Sequence, residues 1–261
     1  MGKKVKTGQS ITAILVVKNE ARKIVACLNS LFWVDEIIVV DNGSVDGSYE
    51  VAKGLATSVF KKEGGTFSSR KNFAAQKASS IWLLFIDADE IVSQELKQEI
   101  VSKIKMAKLG HGSVFAIPRQ NIILRKVMKY GGWWPDYAIR LFKKKSFKGF
   151  YGDLHEQPKY DGNLGYFKNF LIHNKHTNIT DMIAKTNDWS EIEAKLMLET
   201  NHPPMNILRF ASAGAREFYL RMIKKTAFLD GYLGVIYAIY QVYSRLVSYA
   251  KLWELQLRKA N

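Results

Sequence analysis

Apolar and polar positions alternate with two different periods along the first 90 residues of the chain. Four short, nearly continuous apolar runs predict strands buried on both faces of a sheet; they cover Ile11–Val17 and residues 36–40, 57–60 and 81–86. Between them, apolar residues recur every three or four positions, which predicts helices over residues 19–32, 48–55 and 68–79. Strands and helices that alternate at this spacing predict a parallel sheet with helices on both faces.

The pattern changes after residue 90. An amphipathic helix is predicted over residues 95–109 and a strand over residues 113–118, and glycine and aromatic residues then predict short strands and turns up to residue 175. From residue 179 the spacing is helical almost to the end. We therefore predict an α/β domain over residues 1–178, with halves at 10–90 and 91–178, and a helical region over residues 179–261 that packs on it.

Composition and charge narrow the class of protein. The chain has 261 residues, of which 47% are hydrophobic, and this excludes a disordered chain. Cys27 is the single cysteine, so an internal disulfide is excluded and a reducing compartment is predicted. We find no apolar run of the roughly 18 residues that a membrane-spanning helix needs, and no signal peptide, so we predict a cytoplasmic protein. The net charge of +15 leaves nucleic acid, an anionic membrane surface or a phosphorylated substrate as partners.

Acidic and amide residues follow three of the predicted strands. Asn19 and Glu20 come after the first strand, Asp41 after the second, and Asp87-Ala-Asp89 after the fourth. Open parallel sheets bind ligands beyond the carboxyl ends of their strands, so these side chains are expected to share one site. If the segment of Asp87 and Asp89 is extended, both carboxylates project to the same side and can face Mg²⁺ or Mn²⁺. A phosphate-binding Walker loop and a G-x-G-x-x-G turn are both absent from the first strand–helix connection, which argues against P-loop and dinucleotide-binding proteins.

Three segments of the first half carry a resemblance to a known family. Val16-Val-Lys-Asn-Glu20, the stretch from Ile38 to Gly47, and Phe85-Ile-Asp-Ala-Asp-Glu90 resemble the corresponding motifs of family 2 glycosyltransferases with the GT-A fold. Farther along, Arg140-Leu-Phe, Gly152-Asp-Leu-His-Glu156 and Asp230-Gly-Tyr-Leu-Gly234 are similar to the subgroup that includes lipopolysaccharide-core β-1,4-glucosyltransferases acting on heptose. The resemblance implies an α/β GT-A fold, with a mostly parallel central sheet flanked by helices and a helical C-terminal region.

The resemblance also implies a set of residues around a nucleotide-sugar donor. This set consists of Val17, Asn19, Glu20, Asp41, Arg70, Asp87 and Arg140. Within it, Asp41 would bind the uracil edge and Asp87 would contact the ribose side. Arg140 either neutralises phosphate or forms an ion pair that ties the loop region to the sheet, and the sequence leaves both roles open.

A metal and a general base complete the implied site. Asp89 would hold Mg²⁺ or Mn²⁺ on the diphosphate, and His155 and His173 are candidates for a further metal ligand or a phosphate contact. An inverting transferase needs a base that deprotonates the acceptor hydroxyl. The Glu-Asp motif that usually supplies it in the wider family is absent, so Glu156 is the first candidate for the base and Asp136 the second.

The implied reaction is transfer of a hexose, glucose in the subgroup, from a UDP-sugar to an anionic lipid-linked saccharide such as the inner-core heptose of lipopolysaccharide. An undecaprenyl-linked glycan or a capsule or exopolysaccharide precursor are alternative acceptors. A non-catalytic nucleic-acid-binding protein is the alternative from another class, and it is disfavoured because acidic strand ends repel phosphate. Basic and aromatic residues are interleaved over residues 207–259, which predicts either helix packing or peripheral contact with the cytoplasmic face of the inner membrane.

Overall fold

The structure, a computed structural model, describes residues 9–107, 112–152 and 156–260, and it divides into two compact units. Unit 1 contains the described residues up to 119 together with residues 137–173. Unit 2 contains residues 120–136 and the described residues from 174 onward. Each unit has its own buried apolar clusters.

The first part of unit 1 is a parallel sheet with intervening helices. In chain order its elements are β1 (Ile11–Val17), α1 (Ala21–Asn29), β2 (Glu36–Asp41), α2 (Ser48–Leu55), β3 (Ser58–Lys61), α3 (Phe67–Lys77) and β4 (Trp82–Phe85). The strands are ordered β3-β2-β1-β4, and each neighbouring pair is parallel. The predicted alternation of strands and helices is therefore confirmed, and the carboxyl ends of all four strands lie at one edge of the sheet.

Helices cover both faces of this sheet because successive strand residues point to opposite sides. Leu15 belongs to an apolar cluster that includes Ile24 and Leu28 of α1. Its neighbour Ile14 belongs to a second cluster that includes Ala74 of α3. All five side chains are fully or almost fully buried. The continuous apolar run of β1 is thus explained by burial on both faces.

The rest of the described sheet is mixed. The elements that follow are β5 (Glu90–Val92), α4 (Gln94–Ala107), β6 (Val114–Ile123), β7 (Lys126–Val127), β8 (Asp136–Lys143), β9 (Phe147–Tyr151), β10 (Gln157–Tyr160), β11 (Leu164–Tyr166) and β12 (Leu171–His176). The sheet continues from β4 in the order β8-β6-β12-β5, with β8 antiparallel to β4 and β12 antiparallel to β5. Strands β9 and β10 form a separate antiparallel pair.

Unit 2 is mainly helical. Its long elements are α5 (Ile179–Glu199), α6 (Ile207–Phe218) and α7 (Gly231–Ala260), and a π-helix (Tyr219–Lys224) and a 3-10 helix (Ala227–Asp230) connect α6 to α7. Ile123 and Met128 pack with Met182 of α5 and Tyr237 of α7. Residues 120–136 are therefore grouped with the helices, whereas the predicted boundary at residue 178 places them in the α/β domain. Within the described part of the chain, every helix falls short of the length and apolar character needed to cross a membrane.

Candidate active site

The loop after β1 is bonded to the loop after β2. Asn19 has a left-handed backbone, with φ of 55°, and its Oδ1 accepts a hydrogen bond from the Val45 N–H at 2.9 Å. The Asn19 N–H donates to Ser44 Oγ at 3.0 Å, and the Ala21 N–H donates to Asp46 Oδ2, also at 3.0 Å. Asn19 therefore shapes the edge of the candidate site by holding two loops together.

Asp41 is the last residue of β2, and one of its carboxylate oxygens is held within the protein. Its Oδ2 accepts a hydrogen bond from the Ser44 N–H at 3.0 Å. Its Oδ1 is buried and has no hydrogen-bond partner among the residues that the structure describes. Val17, at the end of the neighbouring strand, is buried, and its carbonyl accepts from the Asn42 N–H at 2.9 Å. A buried acceptor without a partner is costly, so Asp41 Oδ1 is suited to receive an N–H group of a ligand.

The segment that holds Asp87 and Asp89 is a turn, so the extended conformation in which both carboxylates would project to the same side is not formed. Strand β4 ends at Phe85, and the Glu90 N–H donates to the Asp87 carbonyl at 2.9 Å, closing a turn over residues 87–90. The chain turns here because β5 begins at Glu90 and pairs with β12. The two carboxylates consequently contact different sets of cationic side chains.

Asp87 and Glu90 share Arg140, which β8 brings beside β4. Arg140 Nη2 donates to the Asp87 carboxylate and, at 2.5 Å, to Glu90 Oε1. Burial alone would raise the pKa of Asp87, but Arg140 and Lys71 hold it well below the usual aspartate range. Burial likewise opposes the charge of Arg140, yet Asp87 and Glu90 raise its pKa above the ordinary value. Arg140 thus forms the ion pair that is one of its two predicted roles, and a phosphate contact stays a prediction.

Lys71 of α3 connects Asp87 to Glu156. Lys71 is buried, and its Nζ donates a hydrogen bond to the Glu156 carboxylate while lying 3.6 Å from Asp87 Oδ1. The structure therefore places the first candidate base in the same ion-pair network as the acidic turn. A base near the donor is what transfer to an acceptor hydroxyl requires.

Asp89 lies beside His173 of β12. The distance from His173 Nε2 to Asp89 Oδ1 is 3.5 Å, and Lys23 Nζ is 3.7 Å from Asp89 Oδ2. Burial would raise the pKa of Asp89, but the contacts with His173 and Lys23 lower it. A carboxylate and an imidazole are suitable ligands for Mn²⁺, and a carboxylate alone is suitable for Mg²⁺, when substrate phosphate and water supply the other ligands. The residues fit such an ion, although no group of three acidic, histidine or cysteine side chains in the described ranges is arranged as a complete metal site.

Arg70 supports the loop that precedes α3. Its Nη1 donates to the carbonyls of Gly64 and Gly65 at 2.7 and 2.9 Å, and its guanidinium lies over the ring of Phe67. Gly65 has a φ of +72°, and a Cβ there would lie 2.7 Å from Ser69 Oγ. This loop conformation therefore needs glycine, and Arg70 fixes it from the buried side. The predicted approach of Arg70 to the nucleotide stays a prediction.

The two remaining described candidates differ in position, because Glu20 shares Lys23 with Asp89 whereas Asp136 lies in the other unit. Glu20 pairs with Lys23 at 3.6 Å at the start of α1 in unit 1. Asp136 belongs to unit 2, where its Oδ2 accepts a hydrogen bond from Asn121 Nδ2 at 3.0 Å. His155 falls outside the described residues, so its predicted role is not addressed by the structure.

Sequence reasoning missed several charged residues of this network. They are Lys23, Lys71, Glu90 and Arg119, the last of which lies 3.7 Å from Glu90. Glu90 is fully buried, and Lys71 stands on the face of α3 that buries Ala74 and Ala75. The sequence could have indicated Lys71, because it is a charged residue on the otherwise apolar face of the predicted helix.

With this geometry in place, comparison with known proteins identifies the family. The sequence profile described as "Glycosyl transferase family 2" matches residues 12–170, which cover every element from β1 to the acidic turn and Glu156. The chain belongs to glycosyl transferase family 2. Family 2 membership makes it an enzyme that transfers sugar from a sugar donor.

Relatives and one solved structure agree with this assignment. An "Uncharacterized glycosyltransferase" of Rickettsia typhi is 29% identical, over 97% of this chain and 90% of that protein. The "Lipopolysaccharide core biosynthesis glycosyltransferase LpsC" of Rhizobium meliloti is 24% identical, over 74% of each. The mannosyltransferase PcManGT of Pyrobaculum calidifontis, solved with GDP-Man and Mn²⁺, is 15% identical with a TM-score of 0.53, and the alignment covers 94% of this chain and 88% of that one. The fold likeness confirms the predicted GT-A fold of this family 2 enzyme.

Proposed function

We propose that the chain is an inverting transferase that moves a hexose from a UDP-sugar to an anionic lipid-linked saccharide. The observation that carries this proposal is the edge of the parallel sheet, where Asp41 offers a buried oxygen without a described partner and Asp87 and Asp89 follow β4. Ligands bind at this edge in open parallel sheets.

The donor nucleotide is proposed from the chemistry of Asp41. A carboxylate oxygen accepts a hydrogen bond, and the imino N–H of uracil is a donor at the edge of that base. Cytosine has an acceptor nitrogen where uracil has its imino N–H, and its only donor on this edge is the exocyclic amino group, so we expect a CMP-sugar to bind Asp41 Oδ1 less well. Guanine does carry N–H donors, and for this reason GDP-sugars belong in the test.

Asp89 and His173 are proposed to hold Mg²⁺ or Mn²⁺ against the donor diphosphate. The support is their mutual distance of 3.5 Å and the ligand preferences of these ions. When bound, such an ion offsets the negative charge that the leaving diphosphate develops. The fold relative PcManGT contains Mn²⁺ together with its nucleotide sugar.

Glu156 is proposed as the general base. In direct displacement the acceptor oxygen attacks the anomeric carbon, the bond from that carbon to the diphosphate oxygen breaks, and the hydroxyl proton passes to the Glu156 carboxylate. Lys71 holds Glu156 through a hydrogen bond and also lies beside Asp87, so it can position the base relative to the donor. One attack from the face opposite the leaving group inverts the configuration.

The acceptor class rests on charge and on one relative. A net charge of +15 favours an anionic acceptor, and LpsC is named for lipopolysaccharide core biosynthesis. Inner-core heptose carrying phosphate fits this description, and glucose is the hexose that the sequence resemblance implies. Undecaprenyl-linked glycans and capsule or exopolysaccharide precursors are the competing acceptors, and their lipid-linked forms would also require contact with a membrane.

A thermal-shift screen tests the donor. The chain is heated with Mn²⁺ and, in separate samples, UDP-glucose, UDP-galactose, GDP-mannose or a CMP-sugar, because a ligand that binds the folded state raises its melting temperature. We expect stabilisation by UDP-sugars, and we expect Asp41→Asn to reduce it. Stabilisation by a GDP-sugar or CMP-sugar alone would contradict the proposed donor.

A further inference from the structure

Exposed apolar side chains are concentrated where α6 joins α7 in unit 2. Six of them define what we call the α6–α7 surface: Phe218, Tyr219, Ile223, Phe228, Leu229 and Tyr232. Tyr232 is 75% exposed and the other five are between 45% and 59% exposed. Single exposed apolar residues are ordinary, but these six come from the end of α6, the π-helix, the 3-10 helix and the start of α7, whose residues contact one another.

The acidic residues of this segment are turned inward. Residues 207–243 contain two acids, Glu217 and Asp230, and both are buried, with 8% and 4% exposure. Glu217 accepts a hydrogen bond from Arg221 at 2.8 Å. Asp230 accepts hydrogen bonds from the backbone N–H of Lys129 at 3.0 Å and of Tyr130 at 2.8 Å. Both carboxylates of the segment are thus hydrogen-bonded to groups within unit 2 and add no negative charge to its surface.

Four of the five basic residues of the same segment face outward, and the fifth, Arg221, is bonded to the buried Glu217. Arg209, Arg216, Lys224 and Lys225 are exposed, and Lys224 and Lys225 follow directly on Ile223 of the α6–α7 surface. The exposed surface therefore combines apolar and aromatic side chains with cations, and residues 207–243 add no outward acid to it. Such a surface is complementary to a partner that has negative charge next to an apolar layer. The headgroup region of a bilayer with anionic lipids has this character.

A second copy of the chain is a poorer partner for this surface. A symmetric dimer would use the same patch on both subunits, so it would bring Lys224 and Lys225 close to their own counterparts. Like charges placed together across an interface are unfavourable. A bilayer supplies anionic phosphates for the lysines and an apolar layer for the tyrosine, phenylalanine and leucine side chains at the same time.

We propose that the α6–α7 surface docks the protein peripherally on membranes that contain anionic lipids. The apolar side chains lie at the boundary between headgroups and acyl chains, and Lys224, Lys225 and Arg216 contact lipid phosphates. This proposal rests on exposure and charge within unit 2, and it holds whatever nucleotide the site in unit 1 binds.

Vesicle co-sedimentation of the full chain tests the proposal. Vesicles of phosphatidylcholine alone are compared with vesicles of phosphatidylcholine and phosphatidylglycerol, at low and high salt. We expect binding to the anionic vesicles that weakens with salt, because surface charge is screened. Lys224→Gln/Lys225→Gln should weaken it about 25-fold, since each basic residue near an anionic surface contributes about fivefold.

Three variants make the result specific. Lys195→Gln/Arg258→Gln removes the same charge from exposed positions outside the α6–α7 surface and should bind like the wild type. Lys224→Arg/Lys225→Arg keeps the charge and should also bind. Leu229→Ser/Tyr232→Ser keeps every charge and should lose binding, because apolar insertion is removed; circular dichroism confirms that each variant is folded.

Several outcomes would overturn the proposal. They are absence of binding to anionic vesicles, equal losses in the Lys195/Arg258 and Lys224/Lys225 variants, and self-association in solution that Leu229→Ser/Tyr232→Ser abolishes. The thermal shift with UDP-sugars is a separate readout on the same samples. A wrong donor assignment would therefore leave the vesicle result interpretable.

Discussion

Arg140 is the cation shared by Asp87 and the fully buried Glu90 beside β4, so its removal is the sharpest test of how this site is held. Arg140 is 6% exposed and donates to both Asp87 and Glu90. In Arg140→Met, Asp87 keeps Lys71 at 3.6 Å. Glu90 is fully buried, and among the residues that the structure describes it keeps Arg119 at 3.7 Å and the hydrogen bond from the Asp87 N–H.

The expected loss follows from the burial of Glu90. Removing one partner of a buried ion pair costs about 3–5 kcal/mol, because the remaining charge stays out of water. In a chain of this size, about 1 kcal/mol corresponds to roughly 2–4 °C in melting temperature, so we expect a decrease of roughly 6–20 °C. Circular dichroism and calorimetric melting at neutral pH measure it.

A double variant provides the matched control. Glu90→Gln removes the stranded charge while its amide oxygen can still accept the hydrogen bond of the Asp87 N–H. Arg140→Met/Glu90→Gln should therefore be more stable than Arg140→Met alone, with a coupling of about 1–3 kcal/mol. Melting of Arg140→Met within about 2 °C of the wild type, or additive losses in the double variant, would refute the reasoning.

Three other predictions concern the base, the packing of α7 and the thiol. Glu156→Gln keeps a hydrogen-bond acceptor for Lys71, so donor binding should persist. Turnover should fall about 10²–10⁴-fold, because the base is lost. A large loss of donor affinity would instead make Glu156 a binding residue. Gly234→Ala puts a Cβ 2.0 Å from the Ala227 carbonyl oxygen and should destabilise the protein by about 1–3 kcal/mol. Gly54→Ala, in α2, meets nothing within 4 Å and should stabilise the protein by up to about 1 kcal/mol. Chemical denaturation that changed the free energy of unfolding in the same direction for both variants would contradict this. Burial and the nearby Glu90 raise the pKa of the Cys27 thiol, so an alkylating reagent should label it only in the unfolded protein, and rapid labelling of the native protein would contradict its burial.

Local sequence pattern was sufficient for the framework of the site. The apolar run Ile11–Val17 matches β1 residue for residue, and the predicted helix over residues 48–55 matches α2. Both elements are specified by neighbouring residues: continuous apolar side chains for burial on two faces, and helical spacing for a helix. The positions of Asn19 and Asp41 at strand ends followed directly from these elements.

Long-range pairing was beyond what the pattern could show. Arg140 and Asp87 are 53 residues apart, and Lys71 and Glu156 are 85 residues apart, so no local period connects them. The turn at Asp87 was missed for the same reason, because it forms where β5 starts to pair with β12. The aromatic and glycine content of residues 120–136 predicts turns of the α/β region, whereas Ile123 and Met128 pack with α5 and α7, which begin about 50 and about 100 residues later.

The most direct test of the central claim is UDP release from the UDP-sugar that stabilises the chain most, measured with and without Mn²⁺ for the wild type and Asp89→Asn. We predict release that depends on Mn²⁺ in the wild type and falls on the order of a hundredfold in the folded variant, because one charged contact to the leaving diphosphate is lost. If Asp89→Asn released UDP at the wild-type rate with the same Mn²⁺ dependence, the acidic turn after β4 would not be the place where the donor reacts.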